Sequence, residues 1–150
     1  METPTNMKRH KLLLRVRADE VVGGWHVHYS VYLHYLEEAA NDHLAALGFA
    51  LPTLMEDYHG VLVVRHLEID YQGSARADDD LMVTTWIESA GGVRLVRRTE
   101  IHNPKTHQLL IAARALWVWV DANQRPRRLP RELVEALQPT EGPVGVGHAV

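Results

Sequence analysis

The feature that most constrains the fold is one long amphipathic segment followed by strand-like segments with no second long helix between them. Over residues 30–47 apolar side chains recur mostly at spacings of three and four, which predicts a helix with one buried stripe. Ser30 is expected to cap this helix and Gly48 to end it. The stripe consists of Val31, Tyr35, Leu36, Ala39, Ala40, Leu44 and Leu47. Such a stripe needs a covering sheet, and we expect that sheet to bury the helix almost completely.

Alternating apolar and polar residues predict the strands of this sheet. The predicted strands span residues 11–17, 61–71, 81–89, 93–102 and 109–120. In the second of them Val61, Val63 and Leu67 share one side, on which Arg65 is the exception. Gly91-Gly92 provides a hairpin turn and Asn103-Pro104 the next turn. The last predicted strand is apolar on both sides, which favours a central position in the sheet.

The remaining segments complete an α+β fold. Residues 51–60 are predicted to be turn-rich, and Pro130 precedes a short C-terminal helix with the sequence RELVEAL. The four later strands are expected to form a meander, which excludes a doubly wound nucleotide-binding fold. We predict one domain over residues 10–138, with flexible segments at 1–9 and 139–150.

Composition excludes several classes of protein. The formal net charge of −3 provides no general attraction for nucleic acid or anionic lipid. The absence of cysteine excludes disulfides, a thiolate nucleophile and cysteine-ligated zinc. No apolar run approaches the length of a membrane span. These features predict a cytoplasmic protein that binds neither nucleic acid nor a membrane.

One segment resembles a known family. Residues 16–39 read VRADEVVGGWHVHYSVYLHYLEEA, which resembles the motif of the 4-hydroxybenzoyl-CoA thioesterase-like branch of hotdog-fold proteins. The residues in register are Val16, Arg17, His26, Val27, Tyr32, Leu33, Tyr35, Glu37, Glu38 and Ala39. Farther along, Ile69-Asp70-Tyr71 and the stretch GSARADDDLMVTTWI are similar to a strand, a turn and a second strand of the same family.

The resemblance implies both a fold and a reaction. The fold is the hotdog, a curved antiparallel five-stranded sheet wrapped around one long central helix. The reaction is hydrolysis of an acyl-CoA or acyl-carrier-protein thioester to a carboxylic acid and a free thiol. The ligand site of this family lies between protomers, so a homo-oligomer is expected, either a dimer or a dimer of dimers (a homotetramer).

The usual catalytic acid of the family is missing from the motif. It stands ten residues before the tyrosine of the YL pair, and counting back from Tyr32 gives Val22. Glu20 and Glu37 are the candidate replacements, and His26 could act on water instead. By resemblance, the backbone N–H of Tyr29 would stabilise the oxyanion.

Further residues are candidates for binding the substrate. Trp25, His28 and Ser30 are expected around the acyl group. The positively charged side chains expected to contact the phosphates of coenzyme A, or the acidic surface of a carrier protein, are Arg65, Arg76 and Arg97.

Other functions stay open from the sequence. The loss of the acid at Val22, together with Trp25, would also fit a non-catalytic acyl-thioester-binding protein. A hotdog dehydratase fits less well, because it needs a differently placed pair of His and acid. His26 and His28 have no nearby third ligand, so no metal site is predicted, and no phosphate-binding loop indicates a cofactor.

Overall fold

One helix and five antiparallel strands form the body of the protein. The structure, a computed structural model, describes residues 9–141. Helix α1 (Val31–Ala46) packs on a sheet made of β1 (His10–Arg15), β4 (Val61–Tyr71), β5 (Asp80–Gly91), β6 (Arg94–His102) and β7 (Leu109–Val120). Smaller elements are a hairpin of β2 (Val21–Val22) and β3 (His26–Val27), and helices α2 (Leu51–Asp57) and α3 (Arg131–Leu137). The predicted α+β hotdog architecture is confirmed.

The strand order corrects the predicted meander. The sheet runs β1-β5-β6-β7-β4, so only β5, β6 and β7 follow one another as neighbours. Because β1 occupies the edge of β5 that β4 would need, β4 pairs with β7 instead, from Val61 opposite Val120 to Tyr71 opposite Ile111. Strand β6 is therefore central, and β7 lies one position nearer the edge. Strand β4 is left at the end of the sheet.

A β-bulge explains why Arg65 interrupts the pattern of β4. Val64 lies opposite Trp117 and His66 opposite Leu116, so Arg65 is an extra residue in the register. The extra residue reverses the alternation before it, and the predicted grouping of Val61 and Val63 with Leu67 is wrong. The side chains sharing the face of Trp117, Ala115 and Ala113 are Leu62, Val64, Leu67 and Ile69.

Helix α1 is nearly as predicted, but it is buried on one side only. Gly48 ends it with φ 89°, and the amides of Gly48 and Phe49 donate to the carbonyls of Ala45 and Leu44. These two bonds form a Schellman motif. The buried residues are Tyr32, Tyr35, Ala39, Ala40, His43 and Leu44. The opposite side is open, since the sheet reaches only one face of the helix.

Two short helices flank the core. Helix α3 matches the predicted RELVEAL segment, and Leu133 and Leu137 are buried beside Phe49. Residues 51–57, predicted to be turn-rich, are helical because Pro52 stands in the first turn, where its missing N–H costs nothing. Leu54 of this helix is buried in the same cluster as Leu44 of α1.

The predicted flexible ends lie almost wholly outside the described residues. At the described margins, Arg9 lies over the ring of Trp86 at 3.8 Å. The amides of Thr140 and Glu141 donate to the carbonyls of Ile87 and Glu88 at 2.9 and 2.7 Å. Over residues 9–141, no helix is both long and apolar enough to span a membrane.

A buried cation lies beneath α1. Arg97 of β6 is 4% exposed, and its Nη1 donates to His43 Nδ1 at 3.0 Å and to Thr85 Oγ1 at 2.9 Å. Because a guanidinium only donates, His43 Nδ1 is the acceptor and the neutral ring carries its proton on Nε2. Burial and then the charge of Arg97 lower the pKa of His43 to about 3.

Gly60 is a position where the core leaves no room for a side chain. A Cβ at Gly60 would lie 2.5 Å from two ring carbons of Trp119. We expect Gly60→Ala to lower the free energy of unfolding by about 1–3 kcal/mol, as measured by urea denaturation. Gly92→Asn is the control, because Gly92 has φ 61° and open space around it, and asparagine tolerates that conformation. Equal effects of the two substitutions would contradict this packing.

The neutral state of His43 predicts a pH dependence of stability. The pKa of His43 falls from an ordinary value of 6.5 to about 3 on folding, so the unfolded chain binds the extra proton as the pH drops through 6.5. This residue alone should therefore cost about 2 kcal/mol of unfolding free energy between pH 8 and pH 5. The measurement is urea denaturation at each pH. In His43→Asn, whose Oδ1 keeps an acceptor for Arg97, the dependence should be flatter. Identical slopes in the two proteins would contradict the assignment.

Candidate active site

An open pocket lies at the N-terminal end of α1. It has a volume of about 530 Å³, and we call it the helix-end pocket. Its wall includes Val22, His26, Val27, His28, Tyr29, Tyr32, Tyr71, Gln72, Gly73 and Ser74. The β2–β3 hairpin, the start of α1 and the end of β4 therefore meet at this point.

The β2–β3 hairpin places one wall of this pocket. Gly23 and Gly24 have φ 59° and 74°, which lets the chain reverse between the strands. Val22 then pairs with His26 across the hairpin, and the Val27 amide donates to the Ala75 carbonyl at 2.9 Å. Val22, at the position that the motif resemblance assigns to the family acid, thus lies on the pocket wall beside His26.

A backbone donor is available where α1 begins. The amide of Val31 donates to the His28 carbonyl and that of Ser30 to His28 Nδ1, whereas in the described part of the chain the Tyr29 amide donates to no acceptor. The hydroxyl of Tyr71 donates to the Tyr29 carbonyl at 3.1 Å and fixes this peptide. A free N–H at a helix N-terminus suits a developing negative charge.

Ser30 and His28 hold each other in place. The Ser30 Oγ lies 2.7 Å from His28 Nδ1, and the Ser30 amide donates to the same nitrogen at 3.2 Å. Since an amide only donates, Nδ1 accepts and the neutral ring carries its proton on Nε2. Ser30 makes no side-chain cap bond, because its φ of −71° and ψ of −23° are already helical. Ser30 is the N-cap residue as predicted, but its hydroxyl bonds to His28 and not to the first turn of the helix.

The wall of the helix-end pocket carries histidines and tyrosines but no carboxylate. His26 is exposed and, among residues 9–141, its ring has no hydrogen-bond partner. The Tyr32 hydroxyl accepts a bond from the Ala75 amide at 2.9 Å, and burial raises the pKa of Tyr32. Over the same range, no cluster of three or more His, Asp or Glu side chains could hold a metal ion.

The carboxylate of Glu20 is engaged elsewhere. Its Oε1 accepts from the Arg17 amide and from the Tyr35 hydroxyl, each at 2.8 Å. Burial, followed by this contact, raises the pKa of Tyr35. Glu20 is not part of the pocket wall. Its two hydrogen bonds instead connect the loop before β2 to helix α1.

A second pocket lies farther along α1 and β4, which also line the helix-end pocket. This second pocket has a volume of about 260 Å³ and lies between α1 and the strands β4, β6 and β7. Its wall consists of Leu33, Leu36, Glu37, Val64, Leu67, Arg97, Thr99, Ala113, Ala115 and Trp117. Because α1 and β4 line both pockets, Glu37 lies along the groove between these elements and not at its helix-end opening.

The other predicted binding residues are dispersed. Trp25 is 76% exposed next to the hairpin turn and is not part of either pocket. Arg65 at the bulge and Arg76 after β4 are exposed. Arg97, in contrast, is buried beneath α1 and does not lie on a solvated face. Its burial corrects the expectation that it meets phosphates at the surface.

Sequence reasoning missed Tyr71 and His43. Tyr71 ends the Ile69-Asp70-Tyr71 strand motif, and the motif alone did not show that its hydroxyl reaches the start of α1. His43 lies three and four residues after Ala40 and Ala39, so its spacing on the buried stripe was the available signal. Histidine was excluded from that stripe because it is polar.

Comparison with known proteins identifies the family. A family model described as the thioesterase superfamily matches residues 24–110. The acyl-CoA thioester hydrolase YbgC of Escherichia coli O157:H7 is 33% identical over 122 residues, which cover 81% of this chain and 90% of that protein. The acyl-CoA thioesterase YbgC of Haemophilus influenzae is 36% identical over 92 residues, covering 57% of this chain and 68% of its own.

Solved structures agree in fold. A probable thioesterase from Bartonella henselae superposes with a TM-score of 0.76 at 26% identity, covering 81% of this chain and 99% of that one. A 1,4-dihydroxy-2-naphthoyl-CoA thioesterase from Synechocystis gives a TM-score of 0.79 at 22% identity, covering 86% of this chain and 95% of that one. At this identity, the similarity to the Synechocystis enzyme shows the fold alone. From the family model and the YbgC relatives, the chain belongs to the thioesterase superfamily.

Proposed function

We propose that this protein hydrolyses acyl-CoA thioesters in the helix-end pocket, with the carbonyl of the thioester bound at the start of α1. The observation that carries the proposal is the Tyr29 amide, which donates to no acceptor among residues 9–141 and belongs to a residue of the pocket wall, as does His26. The names of the YbgC relatives support acyl-CoA as the substrate class. Acyl carrier protein is a second possible carrier of the same thioester.

The start of α1 supplies the electrostatic part of the reaction. The thioester oxygen accepts a hydrogen bond from the Tyr29 amide, and the dipole of α1 adds to the stabilisation of the oxyanion. Preformed donors of this kind need no reorganisation as the charge develops. One such donor is worth roughly 3–4 kcal/mol in the transition state.

His26 is the base that we propose for attack by water. Its ring is exposed on the pocket wall, next to Val22, where the family carries its acid. Imidazole changes its charge between pH 5 and 8, so it can take a proton from water near neutrality. His28, held by Ser30, presents its Nε2–H and would orient the water or the leaving sulfur.

The coenzyme A end has positively charged partners nearby. Arg76 follows Ser74 of the pocket wall by two residues and is exposed, and Arg65 is exposed on β4. Guanidinium groups bind phosphates through paired N–H donors. We therefore place the phosphates on the Arg76 side of the pocket opening.

Replacing His26 tests the proposed base. Because His26→Gln keeps polarity and removes the proton acceptor, we expect it to lower kcat for octanoyl-CoA by about 10²–10⁴-fold. The assay follows release of free coenzyme A thiol, and circular dichroism confirms folding. A kcat within threefold of wild type would exclude His26 as the base.

The alternative mechanism uses Glu20 or Glu37, and not His26, as the base. Glu20→Gln and Glu37→Gln each remove one acid and keep the size of the side chain. With histidine as the base, neither substitution should abolish turnover, although Glu20→Gln weakens the contact with Tyr35 and should lower the melting temperature. A loss of kcat in Glu37→Gln as large as that in His26→Gln, without a change in melting temperature, would move the chemistry to the helix carboxylate.

A binding protein without activity is the second candidate function. It is favoured by Val22, which puts an apolar side chain where the family has its acid. Binding of acyl-CoA in calorimetry, with no turnover of acyl-CoA or acyl carrier protein over a broad panel, would decide for this alternative.

We also propose that the active form is a homo-oligomer built on α1 and β4. Strand β4 pairs only with β7 within residues 9–141, so its outer edge presents unpaired backbone groups. Beside it, Leu33, Val64 and Leu67 are 41%, 45% and 37% exposed. A second protomer placed on this side would cover both the edge and the apolar side chains.

The mass in solution tests this assembly. Light scattering of the purified full chain should give two or four times the mass of one chain. Leu33→Asp, which places a charge on the open side of α1, should shift the mass toward one chain, whereas Leu51→Asp, exposed on α2, should not. A monomeric wild type would contradict the proposal.

A further inference from the structure

The wall of the second pocket is mostly apolar but includes a buried arginine, Arg97. Leu33, Leu36, Val64 and Leu67 form its sides, and Arg97 is part of its wall. Arg97 is 4% exposed, and no carboxylate within residues 9–141 lies within ion-pair distance of it. A charge buried without an opposite charge is costly, and proteins normally pair it.

The bonds of Arg97 leave much of its hydrogen-bonding capacity unused. Both of its bonds come from Nη1, and both acceptors are neutral, His43 Nδ1 and Thr85 Oγ1. Nε and Nη2 donate to no group among the described residues. Desolvation lowers the pKa of Arg97 to about 10, which leaves the guanidinium charged at neutral pH.

A second donor in the same wall also lacks a partner. The indole Nε1 of Trp117 is buried and has no acceptor in the described part of the protein. Trp117 and Arg97 both belong to the wall of the second pocket. Trp117 thus has a buried donor without an acceptor, and Arg97 has donors that bond to no described residue. Both side chains belong to the wall of the second pocket, which favours a ligand that brings oxygen acceptors.

The position of Arg97 sets the length of such a ligand. The thioester is placed at Tyr29 by the proposed function. Arg97 shares the wall of the second pocket with Glu37, and its Nη1 donates to His43 Nδ1 at 3.0 Å. Glu37 and His43 follow Tyr29 by eight and fourteen residues of helix, roughly 12 and 21 Å at 1.5 Å per residue. An extended acyl chain of roughly eight to fourteen carbons covers this range once the guanidinium contact is included.

We propose that the second pocket binds acyl groups whose far end carries a carboxylate, with Arg97 as the specificity-determining residue that pairs with it. The substrate class is then the coenzyme A monothioesters of dicarboxylic acids. This inference rests on the proposed thioesterase function, from which it takes the position of the thioester. Glu37, exposed on the same pocket wall, is too far from Arg97 to form an ion pair in this structure and leaves the guanidinium for the ligand.

The first experiment compares matched substrates on the wild-type full chain. Octanedioyl-CoA and octanoyl-CoA have the same length and differ in one terminal carboxylate. The methyl ester of octanedioyl-CoA adds oxygen acceptors without charge. Dodecanedioyl-CoA and dodecanoyl-CoA form a second, longer pair. In at least one pair we expect kcat/KM for the dicarboxylic thioester to exceed that of its uncharged counterparts by at least tenfold. Equal values within both pairs, or a preference for the monocarboxylic thioesters, overturn the inference and leave the thioesterase function standing.

Substitution of Arg97 tests the residue itself. In Arg97→Gln the ratio of kcat/KM for the dicarboxylic over the monocarboxylic thioester, in the pair with the larger preference, should fall by at least tenfold. Arg98→Gln is the matched control, because the adjacent side chain points to the opposite side of β6 and bonds to Glu88 at 2.9 Å. Its ratio should equal that of wild type. An unchanged ratio in Arg97→Gln overturns the inference.

A second pair of variants covers the case in which Arg97→Gln fails to fold. Leu67→Glu places a carboxylate beside the second pocket, and Leu67→Gln has the same size without the charge. Leu67 is 37% exposed, so both should fold. Because Leu67 also lies on the proposed oligomer surface, light scattering first checks that the two variants have the same mass. The same ratio of kcat/KM should fall in Leu67→Glu relative to Leu67→Gln. Equal ratios in the two variants contradict a cationic receptor for the carboxylate.

Complete absence of hydrolysis would remove the proposed function but still leave the specificity testable. Calorimetry with the non-hydrolysable thioether analogues of both substrate pairs then replaces the kinetic assay. Binding of the carboxylate-bearing analogue at least tenfold tighter than the plain analogue in at least one pair supports the pairing with Arg97. Equal affinities within both pairs overturn it.

Discussion

The packing of one side of α1 against the sheet is the contact on which the rest of the structure depends. Tyr35, Ala39 and Ala40 are 4%, 0% and 3% exposed, and small side chains at two of these positions let the helix lie close to the strands. Fixing the helix in this way also fixes its N-terminal end. The proposed chemistry therefore depends on core packing, because the proposed oxyanion donor is a backbone group whose position the helix determines.

The helix-end pocket has no carboxylate on its wall, where the motif resemblance puts Val22 at the position of the family acid. The polar side chains of the wall are two imidazoles, three phenols, the amide of Gln72 and the hydroxyl of Ser74. Of these kinds of group, only imidazole ordinarily exchanges protons near neutral pH. Glu20, which the motif brings close in sequence, bonds to Arg17 and Tyr35 instead. The chain thus has the fold of its superfamily, and no carboxylate belongs to the wall of the helix-end pocket.

Local pattern was enough to predict the elements, but not how they pair. The bounds of β7 and α3 and the end of α1 at Gly48 followed from periodicity and turn residues. The position of β4 beside β7 did not, because the alternation of a strand says nothing about which edge is free. Arg65 was visible as an exception, and its cause, a bulge, depends on the partner strand. The motif singled out His26, His28 and Tyr29, and the structure places all three on the wall of the helix-end pocket. The burial of Arg97 was not, since an arginine in a polar stretch of β6 carries no local sign of the helix above it.

The contacts of Glu20 give the loop before the hairpin little independent freedom. One carboxylate oxygen joins the Arg17 backbone to a side chain of the central helix, and the His28 amide donates to the Glu20 carbonyl at 3.0 Å. The segment that carries Val22 and His26 is thereby braced at both ends before any ligand arrives. Such preorganisation spares a ligand the entropy of ordering a flexible wall. We therefore expect a ligand to bind this pocket with little rearrangement of the hairpin backbone.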